Sequence, residues 1–358
     1  MVCGGAPVAA QDRPPVSVSL NGRMQFQWNS TSVDTVEAGT PTTPIPWSTF
    51  ETRRVRLEAN VTVEQWVRGM IEADFALARL ALKQVWMSLQ FDPAFVVRAG
   101  QFKKPFSLIE LRSSTQNAVI ERGLRIRNLE QALAVADPLQ PKFRGTVLPG
   151  EEYALLLAQN YISYDLGAEL SGTYKALGWA AGVFNGSGAD TRDENDAKHV
   201  AARATVGVPV GRPLRLGAGF SHAEVNYPTA TGAARRDGNA LELDAELGGF
   251  RNGVWVLAEV TRGTNLATDG TFLGAQGVAS VFLPTGSGRI EGIEPVARVS
   301  WGDPDDDREE DAGLLVTPGL NLYFFGRNRL MFNWDIYMPQ NDEIETHHAG
   351  RAQINLHF

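Results

Sequence analysis

Cysteine is almost absent: Cys3 is the only one among 358 residues. Placed in a processed N-terminal segment, it leaves a mature chain without a disulfide framework or a thiolate metal site. Long apolar runs are missing too. No stretch of 18 residues is apolar throughout. That excludes a helical membrane span but not a membrane barrel, whose strands alternate apolar and polar residues. A mean hydropathy of -0.17 therefore does not separate a soluble protein from a barrel. Positive charge is outnumbered, with 33 Lys and Arg against 41 Asp and Glu and a net charge of -8. This balance argues against a nucleic-acid partner. The five histidines show no HExxH spacing, and Gly186-Ser187-Gly188 lacks the GxSxG pattern of a nucleophile elbow. No catalytic constellation, metal site or cofactor motif remains, so the expected function is not enzymatic and needs no cofactor.

What the chain does have is period-two alternation. From Val16 to Trp28, Val16, Val18, Leu20, Met24, Phe26 and Trp28 share one face, and Ser17, Ser19, Asn21, Arg23, Gln25 and Gln27 the other. The same pattern runs through 53–63, 65–75 and 84–91, and a fifth segment starts at Phe95. Further candidates lie near 165–174, 178–184, 199–209, 214–225, 239–249, 253–263, 271–283, 291–302, 313–325, 328–338 and 347–358. The total is about 16 strands, even-numbered as in bacterial outer-membrane barrels. Their connections alternate in length. Lys175-Ala176-Leu177, Gly211-Arg212-Pro213, Phe250-Arg251-Asn252 and Gly326-Arg327-Asn328 are short; 29–50, 103–164, 185–198, 226–238 and the acidic 303–311 are longer. The connection after the third strand is the exception, being short.

These features predict an all-β fold, a transmembrane antiparallel β-barrel with short periplasmic turns and long external loops. Residues 16–358 form the barrel. Residues 1–15 are either a signal-peptide remnant, ending Val8-Ala9-Ala10, or a disordered N-terminus. The closing Phe358 sits on the apolar face of the last strand, like the C-terminal signal of outer-membrane barrels. Trp28, Trp86, Phe91, Trp255, Trp301, Tyr323, Phe324, Phe325, Trp334 and Tyr337 lie near strand ends and are assigned to interfacial girdles.

Charged residues suggest where solute passes. Arg23, Arg54, Arg56, Arg68 and Arg98 occupy the polar, lumen-facing side of strands one, two, three and five. Lys103, Lys104 and Arg112 crowd the start of the long 103–164 connection. A wall of guanidiniums favours anions. The competing reading pairs them with Glu58, Glu72 and Asp74, giving a transverse field across a general diffusion pore. Glu242, Asp244 and Glu246 read as a solvated lumenal row, and 302–311 as a solvated external loop without EF-hand spacing, with divalent cations bridging it to lipopolysaccharide as the alternative. Asn128–Ala136 is a candidate helix within the long connection.

The run Arg98 to Leu108 with Ser113-Ser114 and Glu121-Arg122 resembles the phosphate-selective porin O and P family. So do Arg53–Glu58 and Gly182–Gly186. The resemblance spans Gly22 to about Gly186, more loosely Gly292–Trp301 and Phe358. It implies a homotrimeric outer-membrane porin with its third loop folded into the lumen. It also implies an anion site of wall arginines plus a basic loop residue, with Arg23 and the Arg53/Arg54 pair as wall contributors. Alternation points Arg54 inward and Arg53 outward. The expected partners are small inorganic anions such as phosphate or other small solutes, with outer-membrane lipids and lipopolysaccharide around the wall. The alternatives are a non-selective diffusion porin and a plugged structural barrel.

Overall fold

The computed structural model describes residues 15–33, 45–76, 80–123, 160–189, 191, 193, 197–229, 232–266, 268, 270–340 and 346–358. Neighbours in sequence pair antiparallel all the way round: β1 (Val16–Val33), β2 (Ile45–Val63), β3 (Val67–Asp74), β4 (Ala81–Asp92), β5 (Phe95–Lys103), β6 (Tyr164–Tyr174), β7 (Leu177–Phe184) and β8 (His199–Val210). There follow β9 (Arg212–Thr229), β10 (Gly232–Leu247), β11 (Val254–Thr264), β12 (Thr271–Val281, resuming after Phe282 as Leu283–Ser287) and β13 (Ile290–Asp303). The last three are β14 (Gly313–Phe325), β15 (Asn328–Pro339) and β16 (His347–His357). Both parts of β12 pair with β13, so the ring has 16 strands. It closes where β1 meets β16, from Arg23↔His357 to Thr31↔Ala349.

Every strand expected from alternation is present. Two of the expected long connections are shorter than 29–50 and 226–238, because their flanks remain strand. Residues 29–33 pair with 45–49, and β9 and β10 continue pairing to Thr229 and Gly232. Ser, Thr and Val dominate 30–33, a β-competent composition without apolar–polar contrast, so periodicity gave no sign of it. Residues 1–14 and the candidate helix Asn128–Ala136 lie outside the described residues.

The alternation also sets the two faces. Leu20, Leu57, Ile71, Met87, Leu243 and Ile354 are exposed on the outer wall, while Arg23, Gln25, Gln27, Arg54, Arg56 and Glu72 are buried inside. An apolar outside over a polar inside is the pattern of a barrel in lipid. The girdle assignment holds for Phe91, Phe324, Phe325 and Trp334, which are exposed. Trp86, Trp255, Tyr323 and Tyr337 instead point inward; Trp255 and Tyr323 are fully buried. Their positions are on the polar-face register of their strands, and register outranks residue type.

Two glycines matter to the wall. Gly100 has φ +129, and a Cβ there would sit 2.3 Å from the Val85 oxygen, so only glycine lets β5 lie against β4. Gly22 exchanges backbone hydrogen bonds with Phe358 (2.8 and 3.1 Å), and the Phe358 ring covers it.

Inside the ring lies the first part of the connection that follows β5. Residues 104–123 run among inward-facing wall side chains, through a single turn α1 (Leu108–Leu111) capped by Ser107 and a 3-10 turn at Ser114–Gln116. Leu108, Ala118 and Val119 pack on Trp255, Leu257, Val278 and Val296. Phe106, Tyr161 and Ile162 pack on Ala223, Ala240, Phe272, Leu315 and Tyr337. The apolar wall patch of β9 to β15 thus draws the loop to its side and leaves the β4 to β9 side open.

Candidate pore constriction and vestibule

A backbone buried inside a barrel needs hydrogen-bond partners at every step, because little water reaches it. The wall supplies them. Glu242 accepts from the Ser107 and Leu108 amides (3.1 and 2.8 Å), and Glu259 accepts from the Ser107 hydroxyl and the Ile109 amide (2.9 and 3.0 Å). Further along, Arg329 and Arg327 donate to Thr115 (both 3.1 Å), and Asn321 donates to the Ala118 carbonyl (2.8 Å). Asn333 accepts from the Ile120 amide (2.7 Å), Arg298 donates to the Glu121 carbonyl (2.6 Å) and Gln276 to the Arg122 carbonyl (2.8 Å). Residues 107–109 are pinned to β10 and β11, and residues 115–122 to β12, β13, β14 and β15.

The predicted basic residues divide into two groups. Arg23 donates to Ser114 (3.0 Å) and pairs with Glu72 (3.0 Å) and Glu58. Arg56 pairs with Asp74 (2.7 Å) and Glu72 (3.0 Å). Arg54 donates to Gln25 (2.6 Å) and lies 3.4 Å from Glu121. The pairing with Glu58, Glu72 and Asp74 considered from sequence is therefore what this wall shows. Arg53 corrects the alternation. A register shift between Gln25 and Phe26 makes it the extra residue of a β-bulge, and it turns inward to hold Glu121 at 2.6 Å. Burial raises the Glu121 carboxyl's pKa, but Arg53 and Arg54 outweigh it and hold the group below the ordinary 4.5.

Arg68 does not join this cluster. It is exposed one residue from the turn end of β3, six residues from Asp74, or roughly 20 Å along the strand. Lys104 is fully buried, donating to the Asn160 carbonyl at 2.8 Å and facing Asp165 at 3.5 Å, so it fastens the two roots of the loop together. Lys103 pairs with Glu110 at 2.6 Å. Arg112 pairs with Glu246 (2.7 Å) and stacks on Trp255 (4.7 Å). Nor are Glu242, Asp244 and Glu246 a solvated row. They are buried, and Arg203 bridges Glu242 and Asp244 at 2.6 and 2.5 Å. The loop above them excludes the water that alternation alone would grant.

The open side holds two cavities, of about 490 and 570 Å³. Arg98 and Arg203 line the first and Arg112, Arg203 and Arg215 the second, with Lys175 at the second and Glu169 at the first. Arg98 pairs with Glu169 (2.8 Å) and stacks on Phe102 (3.9 Å). Arg203 and Arg215 were absent from the sequence candidates. The signal was available, since Ala201, Arg203 and Thr205 share the inward face of β8, but nothing local marks that face as the open one.

A profile of the phosphate-selective porin O and P family matches residues 18–246, well over half the chain. The chain belongs to that family. This porin is thus an integral outer-membrane channel protein. Its fold is shared with OprB of Pseudomonas putida (TM-score 0.61, 11% identity, 95% of this chain and 94% of that one). The outer-membrane channel DcaP of Acinetobacter baumannii is similar (0.59, 11%, 95% and 97%), as is OmpT of Vibrio cholerae (0.58, 10%, 99% and 100%). One solved form of OmpT is a trimer. No curated protein matches the chain.

Proposed function

We propose that this porin passes small hydrophilic solutes by passive diffusion with a preference for anions, phosphate-like oxyanions among them. The preference is set by Arg98, Arg112, Arg203 and Arg215 rather than by Arg23, Arg54 and Arg56. One observation carries the reading: these arginines and Lys175 border the open space beside the pinned loop, where Arg98 and Arg215 keep 26% and 59% of their side-chain surface exposed even though carboxylates pair with them. A passage whose accessible charged groups are mainly guanidiniums favours anions, and guanidinium planes offer paired donors to oxyanions. Carboxylates pair with both sets of arginines; what separates them is access, because Arg23, Arg54 and Arg56 are buried beneath the loop and do not border the cavities. Retention must stay weak for a solute to leave.

Reversal potentials in planar bilayers across a KCl gradient test this. Wild-type channels prefer chloride; Arg215→Gln and Arg98→Gln each shift the potential toward cations, and Arg54→Gln shifts it less. Cation preference in the wild type, or an equal response of all three variants, contradicts the assignment. A folded barrel with no conductance supports the plugged structural alternative. The assembly we infer is a homotrimer, supported by the family and by the trimeric OmpT form; a monomer mass in mild detergent sinks it.

A further inference from the structure

We propose that the open space beside α1 favours organic carboxylates with an apolar body, aromatic or short aliphatic, over inorganic oxyanions. The inference rests on the anion-preferring reading above and names the substrate class of that same passage. It starts from one side chain. Within residues 104–123, the part of the loop that lies inside the ring, Leu111 is the one exposed residue. It is 37% exposed, while Leu108, Ile109 and Glu110 beside it are buried. A lone leucine on an outer surface needs no explanation. This one stands inside a polar barrel, at the end of α1, whose first amides Glu242 and Glu259 hold in place. Both cavities have Leu111 in their lining.

The first cavity has two kinds of wall. Trp86, Val96, Pro105 and Leu111 give it apolar surface, and Arg98 and Arg203 give it guanidiniums. Arg98 is held in a fixed plane. It stacks on Phe102 (3.9 Å), lies over the Trp86 ring at 5.6 Å, and gives one edge to Glu169 at 2.8 Å. In the second cavity Leu108 and Leu111 stand with Arg112 and Arg215. A carboxylate engages a guanidinium through paired N–H donors, as a phosphate does. What separates the two solutes is the rest of the molecule. Phosphate has no apolar surface, so it gains nothing from Leu111, Val96 and Trp86. Each methylene-sized group moved from water onto an apolar wall is worth about fourfold in binding, and a ring covered on one face on the order of tenfold. The cavity sizes agree. About 490 and 570 Å³ fall in the range of roughly 300–1,000 Å³ that houses organic ligands.

The test is planar-bilayer recording of the full chain in KCl at neutral pH, with sodium benzoate, acetate or phosphate added and the fall in chloride current read. Benzoate is expected to half-block at a concentration at least about tenfold below that of acetate or phosphate. Leu111→Asn keeps the size of the side chain and removes its apolar surface, so there the benzoate and acetate values close to within about threefold. Electrophoretic heat-modifiability shows which variants fold, and Val96→Thr, with a loss in the same direction, replaces Leu111→Asn if that one does not. Equal block by the three salts in a wild type that prefers chloride overturns this inference and leaves the anion preference standing. Cation preference in KCl alone overturns both. A benzoate advantage that survives intact in the folded variant overturns its assignment to this passage.

Discussion

Glu121→Ala is expected to loosen the far end of the lumenal loop and raise single-channel conductance. Its carboxylate is buried and holds Arg53 at 2.6 Å and Arg54 at 3.4 Å. Removing one partner of a buried ion pair leaves the other charge without compensation, at a cost of about 3–5 kcal/mol. Urea unfolding of the refolded barrel reads that loss, and planar-bilayer recording reads the released loop. The same clamp predicts an acid transition. Because the folded-state pKa of Glu121 is depressed, its stabilisation is complete above the unfolded value near 4.5 and disappears as pH falls through the lower folded value. Wild-type conductance should therefore rise only below that point, and in Glu121→Ala this step should be missing. A variant with unchanged unfolding and unchanged conductance refutes the clamp.

The near end of the loop makes a different prediction, because there two carboxylates share one turn of backbone. Glu242 has Arg203 as its counter-charge at 2.6 Å. Glu259 accepts from neutral donors, the Ser107 hydroxyl and the Ile109 amide, and Glu242 lies beside it. Glu259→Gln keeps an acceptor for both donors and removes one of two like charges, so it should fold at least as stably as the wild type. Glu259→Leu strands the hydroxyl and the amide, each costing about 1–3 kcal/mol when buried and unsatisfied. It should also make the channel noisier, since α1 borders the cavity. Identical behaviour of the two variants in urea unfolding shows that charge and hydrogen bonding at this elbow do not matter.

Both predictions rest on contacts that alternation could not have named. The Ser107 amide meets a carboxylate 135 residues away, and Arg298 meets the Glu121 carbonyl across 177. Arg23, Arg54, Arg56 and Arg98 point inward as alternation predicts, because their direction follows from a period of two, which is local. Alternation points Arg53 outward, but a bulge breaks that period and leaves no mark in the residues around it. Only nearness in sequence groups Lys103, Lys104 and Arg112. The fold separates them onto Glu110, Asp165 and Glu246, three different places.

By itself, the sequence determined the number of strands, their order, the inward or outward direction of most wall residues, and the family. All of these follow from short-range periodicity and from motifs read in place. Only the tertiary structure decided which arginines are neutralised, which line open space, and that Trp255 and Tyr323 are buried inside the barrel rather than set in a girdle. The reason is ring closure: it brings β10 to β15 opposite the loop. The partner of a buried charge or aromatic there is chosen by what stands across the lumen, not by what precedes it in the chain.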